Sequence, residues 1–163
     1  MTREEKSIAI ENLTAQLASS NIVYLADISG LDAELTSSLR RACFKAGIKL
    51  EVVKNTLLAK AMEASDNDYG DLPDTLTGNT SIFLADVANA PAKIMKEFRR
   101  KADKPLLKGA YINSEVYIGD NLLDSLATLK SKEEVIGEII GLLQSPAQRV
   151  ISALLNQFKE EVA

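Results

Sequence analysis

Histidine is absent from the 163-residue sequence, and cysteine occurs once, at Cys43. The first absence excludes imidazole acid–base chemistry, and a lone thiol without histidine excludes structural zinc. One cysteine also rules out an internal disulfide and fits a reducing cytosol. Cys43 falls on the apolar face of a predicted helix, where it reads as a small buried hydrophobe and not as a nucleophile. Aromatic residues make up only 5% of the chain. Those few, Tyr24, Phe44 and Tyr69 among them, are expected to point mostly inward, so little is left on which RNA bases could stack. No glycine-rich phosphate cradle occurs. No apolar run approaches the roughly 20 residues of a membrane span, and the opening MTREEKSIAIE lacks the apolar core of a signal peptide. A soluble, intracellular protein is expected.

What is present is a folded protein's hydrophobic fraction, 46%, in a length that holds one good domain core. The net charge of −4 hides a strong asymmetry. Between Arg40 and Lys60 lie six basic residues (Arg40, Arg41, Lys45, Lys49, Lys54, Lys60) and one acid, Glu51. Between Lys93 and Lys108 lie seven (Lys93, Lys96, Arg99, Arg100, Lys101, Lys104, Lys108) against Glu97 and Asp103. Each window carries +5, so the rest of the chain must carry −14 to reach the total. A basic footprint on an acidic protein points to a polyanion held at one place. The second window is the weaker candidate, because a lysine-rich helix face is more often simply solvated.

The first window contains the most informative stretch, KLEVVKNTLLAK over Lys49–Lys60. Ile48, Leu50 and Val52 alternate with their neighbours at the two-residue period of a half-buried strand. After Lys54 the period changes to helical, with Leu57/Ala61 and Leu58/Met62 at i, i+4 and Asn55 or Thr56 as the expected cap. Free amides at a helix start, beside a lysine and two small polar side chains, suit a phosphate. Arg40, Arg41, Lys45, Lys49, Lys54, Asn55, Thr56 and Lys60 are therefore the candidate phosphate-contacting residues, the set that would touch RNA if the polyanion is a nucleic acid.

In chain order, Thr2 and Glu5 have capping-box spacing, and Ile10, Leu13 and Leu17 follow on one helical face to about Ala18. Ser19-Ser20-Asn21 ends that helix. Ile22–Ala26 is a continuous apolar run of central-strand type, followed by a turn over Asp27–Asp32. A helix runs to Ala46 with Leu35, Leu39, Ala42 or Cys43, and Ala46 inward, and Gly47 terminates it. Ser65–Asp74 is an acidic loop. Ser81–Ala85 is another apolar strand, and Asn89-Ala90-Pro91 starts a helix that carries Ile94, Met95 and Phe98 inward. Leu106–Ile112 and Glu115–Ile118 form a hairpin around Asn113-Ser114, and a short helix follows over Leu122–Leu129. Together these elements predict an α+β fold over residues 1–130: a compact mixed-sheet sandwich of split βαβ type with helices on one face.

Residues 131–163 form a separate C-terminal helical tail. Ser131 and Glu134 make a capping box, and an apolar stripe follows: Ile136, Ile139/Ile140, Leu143, Ala147, Val150/Ile151, Leu154, Phe158. Ser145-Pro146 predicts a kink or two helices in tandem. Ile139-Ile140 and Leu143 recur eleven residues on as Val150-Ile151 and Leu154, close to three turns, so both copies face the same way. The reading is a bare helix offering two equal apolar sites, with Leu155 beside the second, to other helices.

With these residues in hand, the chain resembles bacterial ribosomal protein L-ten, the family at the base of the large-subunit stalk. The likeness rests on Val52-Val53-Lys54-Asn55-Thr56-Leu57-Leu58, on Leu39-Arg40-Arg41 with Lys45 and Gly47, and on Leu129–Glu134 leading into the tail. The Leu76–Thr80 segment is similar to a family turn that often reads Gly-Pro-Thr, with Asn79 in the middle place here. The resemblance implies an N-terminal domain on large-subunit ribosomal RNA beside ribosomal protein L-eleven. It also implies a C-terminal helix that carries dimers of the stalk protein L-seven/L-twelve, which recruit translational GTPases. Two copies of the tail pattern imply two dimers. No cofactor, metal or small-molecule substrate is implied.

Two rival readings have other requirements. A ribosome-assembly factor of the same fold would bind RNA but would not need Ile139–Leu143 and its repeat. A magnesium-dependent phosphatase would use Asp27 and Asp86 at strand ends, yet Asp27 lacks a second aspartate two residues on.

Overall fold

The computed structural model describes residues 2–65, 67–100 and 104–161, and only the backbone at 132, 147 and 153–161. Contacts divide the chain into two compact units, Met1–Leu129 and Lys130–Ala163. In the first, helix α1 (Arg3–Ser19) begins at the predicted capping box, with Thr2 and Glu5 each bonding the other's backbone. Strand β1 (Ile22–Asp27), helix α2 (Ala33–Lys45), strand β2 (Lys49–Val53) and helix α3 (Asn55–Glu63) follow. Then come β3 (Thr80–Ala85), α4 (Ala90–Arg99), β4 (Leu106–Ile112), β5 (Glu115–Ile118) and α5 (Leu123–Thr128).

The five strands form one sheet in the order β2-β3-β1-β4-β5, and every neighbouring pair is antiparallel. The α+β class and split βαβ connection hold, but the expected mixed sheet does not. The reason lies in the connections. The α2 crossover carries the chain from β1 past β3 to β2, and α4 carries it from β3 past β1 to β4. Each crossover skips a strand, so strands that run parallel are never neighbours.

Helices cover both faces of the sheet, not one. Ile22, Tyr24 and Ala26 of β1 pack with Leu39, Cys43 and Met95 of α2 and α4. Val23 and Leu25, pointing the other way, pack with Leu13, Leu17, Leu57 and Leu58 of α1 and α3. This two-sided burial is why β1 reads as an unbroken apolar run. The Cys43 thiol sits in the first core, and burial pushes it up to about 11, so it stays an inert thiol. Ala46, expected inward, is exposed just past the end of α2, where Gly47 turns the chain at φ +71°.

The acidic loop carries more structure than its composition suggests. Tyr69 and Leu72 are buried in the second core, and the Tyr69 ring meets Tyr111 at a 4.6 Å centroid separation. Leu72 opens a single 3₁₀ turn (Leu72–Thr75) and closes over β4 at Gly109, where a Cβ would come within 2.6 Å of it. Asn113 and Ser114 make the predicted hairpin turn with φ of 49° and 73°, the mirror-type geometry that matches strand twist.

Candidate nucleic-acid interface and helical docking surface

Helix α2 buries Leu39 and Cys43, four residues apart, and this phase sends Arg40, Arg41 and Lys45 to the solvent side. With Ser37 and Phe44 they line a shallow hollow. Phe44 corrects the expectation of inward aromatics: its side chain is 85% exposed. It lies out of phase with Leu39 and Cys43, and that phase was the signal in the sequence that could have found it.

Past Gly47 the chain enters β2, one of the two edge strands of the sheet. Here Lys49 pairs with Glu51 at 2.9 Å. Val52 is exposed on this edge strand. Lys54, not Asn55 or Thr56, is the residue before the first helical turn of α3, and its carbonyl accepts from the amides of Leu57 (3.0 Å) and Leu58 (3.1 Å). Thr56 and Lys60 are exposed one turn apart on α3.

The candidate residues therefore fall into two groups on opposite faces of the sheet: Arg40, Arg41 and Lys45 on α2, and Lys54, Thr56 and Lys60 at α3. Edge strand β2 joins them, and exposed charges are what such an edge needs to resist pairing with another strand. Among the described residues, no hydrogen bond or ion pair engages the side chains of Arg40, Arg41, Lys45, Lys54 or Lys60.

Asn55 does something else. Its Nδ2 donates to the carbonyls of Leu76 (2.9 Å) and Gly78 (2.7 Å), so both amide protons are spent inside the protein. Lys108 completes the grip: its Nζ donates to the carbonyls of Thr77 (2.6 Å) and Asn79 (2.6 Å) and to Thr80 Oγ1 (2.8 Å). Two side chains thus hold four successive carbonyls, and the 76–80 turn is fastened to the start of α3 without a proline at Asn79. Burial in this cradle lowers the Lys108 pKa. Losing two ordinary hydrogen bonds in Asn55→Ala should cost about 1–3 kcal/mol. Asn55→Asp should cost more, because it turns acceptors onto carbonyls. A capping role predicts the reverse order, since a carboxylate is favoured at a helix start. Urea midpoints of the two variants decide between them.

Most of the second basic window is committed internally. Arg99 makes a two-pronged pair with Asp120 and also donates to the Pro105 carbonyl at 2.6 Å. Its hydrogen bond holds the Asp120 carboxyl below the usual range. Lys96 pairs with Asp124 at 2.8 Å, and Lys104 Nζ donates to Asp27 (3.0 Å) and to Ser29 Oγ (2.6 Å). Lys101 lies outside the described residues.

The same bonds bear on the phosphatase reading. Asp27 Oδ1 accepts from the Ser29 amide and Oδ2 from Ser29 Oγ and Lys104. These partners outweigh its desolvation and lower its pKa. Ile22 pairs with Ala85 in an antiparallel register, so Asp27 and Asp86 stand at opposite ends of the sheet. Asp86, one residue past Ala85, falls opposite position 21, so at roughly 3.3 Å per residue the two acids are about 20 Å apart, too far to share one metal ion. Among the described residues, no group of three or more acids or thiols could hold a metal.

In the second unit, α6 (Lys132–Glu161) starts at the predicted Ser131–Glu134 capping box and runs through Pro146 as one 30-residue helix. Ser145 is not a second cap. Proline removes the amide that would bond to the Leu142 carbonyl, and Ser145 Oγ donates to that carbonyl instead, at 3.1 Å. Ile136, Ile139, Ile140, Leu143, Val150 and Ile151 are all exposed, Leu143 by 75%. Leu154, Leu155 and Phe158 belong to the helix, but their side chains lie outside the described residues. No helix is long and apolar enough to cross a membrane among the described residues.

The family model for ribosomal protein L10 matches residues 1–102, the stretch that holds α2, β2, α3 and the fastened turn. The chain belongs to the ribosomal protein L10 family. Relatives match far beyond that stretch. The large ribosomal subunit protein uL10 of Flavobacterium johnsoniae is 82% identical over 158 residues, covering 97% of this chain and 95% of that one. The uL10 of Flavobacterium psychrophilum is 78% identical, covering 100% and 99%, and that of Christiangramia forsetii 67%, covering 94% and 89%. The family is one of structural ribosomal proteins, and the chain is not an enzyme.

Proposed function

We propose that the protein anchors the stalk of the large ribosomal subunit in the cytoplasm. Residues 1–130 bind ribosomal RNA at the stalk base beside L-eleven, and residues 131–163 carry L-seven/L-twelve dimers that bring translational GTPases to the ribosome. The observation that carries this reading is a division of labour between the two units. Among the described residues, one displays cations whose side chains have no internal partner on both sides of a sheet edge, and the other is a helix whose large apolar side chains are exposed. Arg40, Arg41, Lys45, Lys49, Lys54, Thr56 and Lys60 supply charge and hydroxyl contacts to phosphates. Asn55 supports them by holding the 76–80 turn.

Two fragments test the reading. A chain ending at Lys130 should fold cooperatively and bind stalk-base RNA, because both buried clusters lie before that point. A peptide spanning residues 130–163 should bind L-seven/L-twelve and ignore the RNA. An N-terminal fragment that fails to fold, or a peptide that fails to bind, would refute the division. RNA binding without any stalk binding by the full chain would favour the assembly-factor reading.

A further inference from the structure

Phe44 is the most exposed large apolar side chain described in the protein, at 85%. A phenyl ring left in water forgoes the stabilisation that burial would bring, and the neighbouring core positions Leu39 and Cys43 show that α2 has an interior available. Its surroundings are not those of a scattered surface hydrophobe. Arg40 stands four residues before it, Arg41 three before and Lys45 one after, and with Ser37 they line an open hollow of about 420 Å³ around the ring. Among the described residues no acid pairs with any of these three cations.

An open aromatic face ringed by uncompensated positive charge matches one chemistry closely: an unpaired nucleotide, its base stacked on the ring and its flanking phosphates held by the cations. A base-paired duplex hides its base faces and would leave the ring in water. An apolar peptide would leave three charges without partners. We infer that Phe44 is a stacking platform for a single unpaired base of the bound RNA, so that the α2 face recognises an extruded nucleotide as well as phosphates. The inference rests on the RNA-binding reading above and deepens it.

The test uses the full chain and a stalk-base RNA fragment. Phe44→Leu keeps size, apolarity and charge but removes the π-face, and it should weaken binding by roughly 10- to 100-fold with the salt slope unchanged. Phe44→Tyr should bind like the parent. The chain has no tryptophan, so Phe44→Trp installs a single reporter whose fluorescence should be quenched by this RNA and not by a fully paired duplex of equal length. Full affinity in Phe44→Leu, together with an unquenched indole in Phe44→Trp, overturns the stacking site while leaving phosphate binding intact. If Phe44→Leu instead loses affinity for L-eleven alone, the ring is a protein contact and the inference is wrong. If the parent protein binds the RNA without salt dependence, the RNA reading itself fails and the platform falls with it.

Discussion

Changing Arg40, Arg41 and Lys45 together to glutamate should weaken binding to stalk-base RNA by about 100-fold near physiological salt. Each phosphate contact contributes roughly 0.7–0.9 to the slope of log affinity against log salt, so three lost contacts flatten it by about two to three units. Lys54→Glu, from the other group, should remove about one contact. The contrast is with Lys104→Met. That lysine already donates to Asp27 and Ser29, so its loss should lower the unfolding midpoint and leave the slope of the folded protein unchanged. Titrations at several salt concentrations read all three variants. An unchanged slope in the triple variant would move the RNA footprint off α2.

Single charges placed in the apolar stripe of α6 should each remove one stalk dimer. Ile140→Asp acts on the first copy of the pattern and Ile151→Asp on the second, and both positions are exposed and described. Burying one large aliphatic side chain is worth roughly 1.5–3 kcal/mol, so losing it alone weakens a site about 10- to 100-fold. Burying the new carboxylate costs more. Each variant should therefore hold two stalk protomers where the parent holds four. Loss of all four from either change would mean that the two copies work as one site. Retention of all four in both would put the docking surface elsewhere.

The chain's local signals were legible where one element suffices to read them. The Thr2–Glu5 and Ser131–Glu134 boxes, the Asn113-Ser114 turn and the Gly47 stop each depend on a few adjacent residues, and each is present. Long-range contacts were less legible. Asn55 looks like a cap in sequence because Asx residues cap helices, yet its partners lie 21 and 23 residues away. Asn89 likewise sits at a helix start and donates to the Leu129 carbonyl, 40 residues on. The basic window at Lys93–Lys108 looked like a solvated face, whereas Arg99, Lys104 and Lys108 fasten the sheet to its loops. Helices on both faces of the sheet were foreshadowed by the unbroken apolar runs at Ile22–Ala26 and Ile82–Ala85. A strand open to water on one side would have alternated.

As proposed, one chain couples an RNA-binding unit to a helix with two equal docking sites, and a single measurement tests that coupling. The measurement is the native mass of the complex formed from the full chain, a stalk-base RNA fragment and excess L-seven/L-twelve. The predicted mass contains one protein, one RNA and four stalk protomers, while the fragment ending at Lys130 gives protein and RNA alone. A complex with six stalk protomers, or a fragment ending at Lys130 that still carries stalk protein, would contradict it.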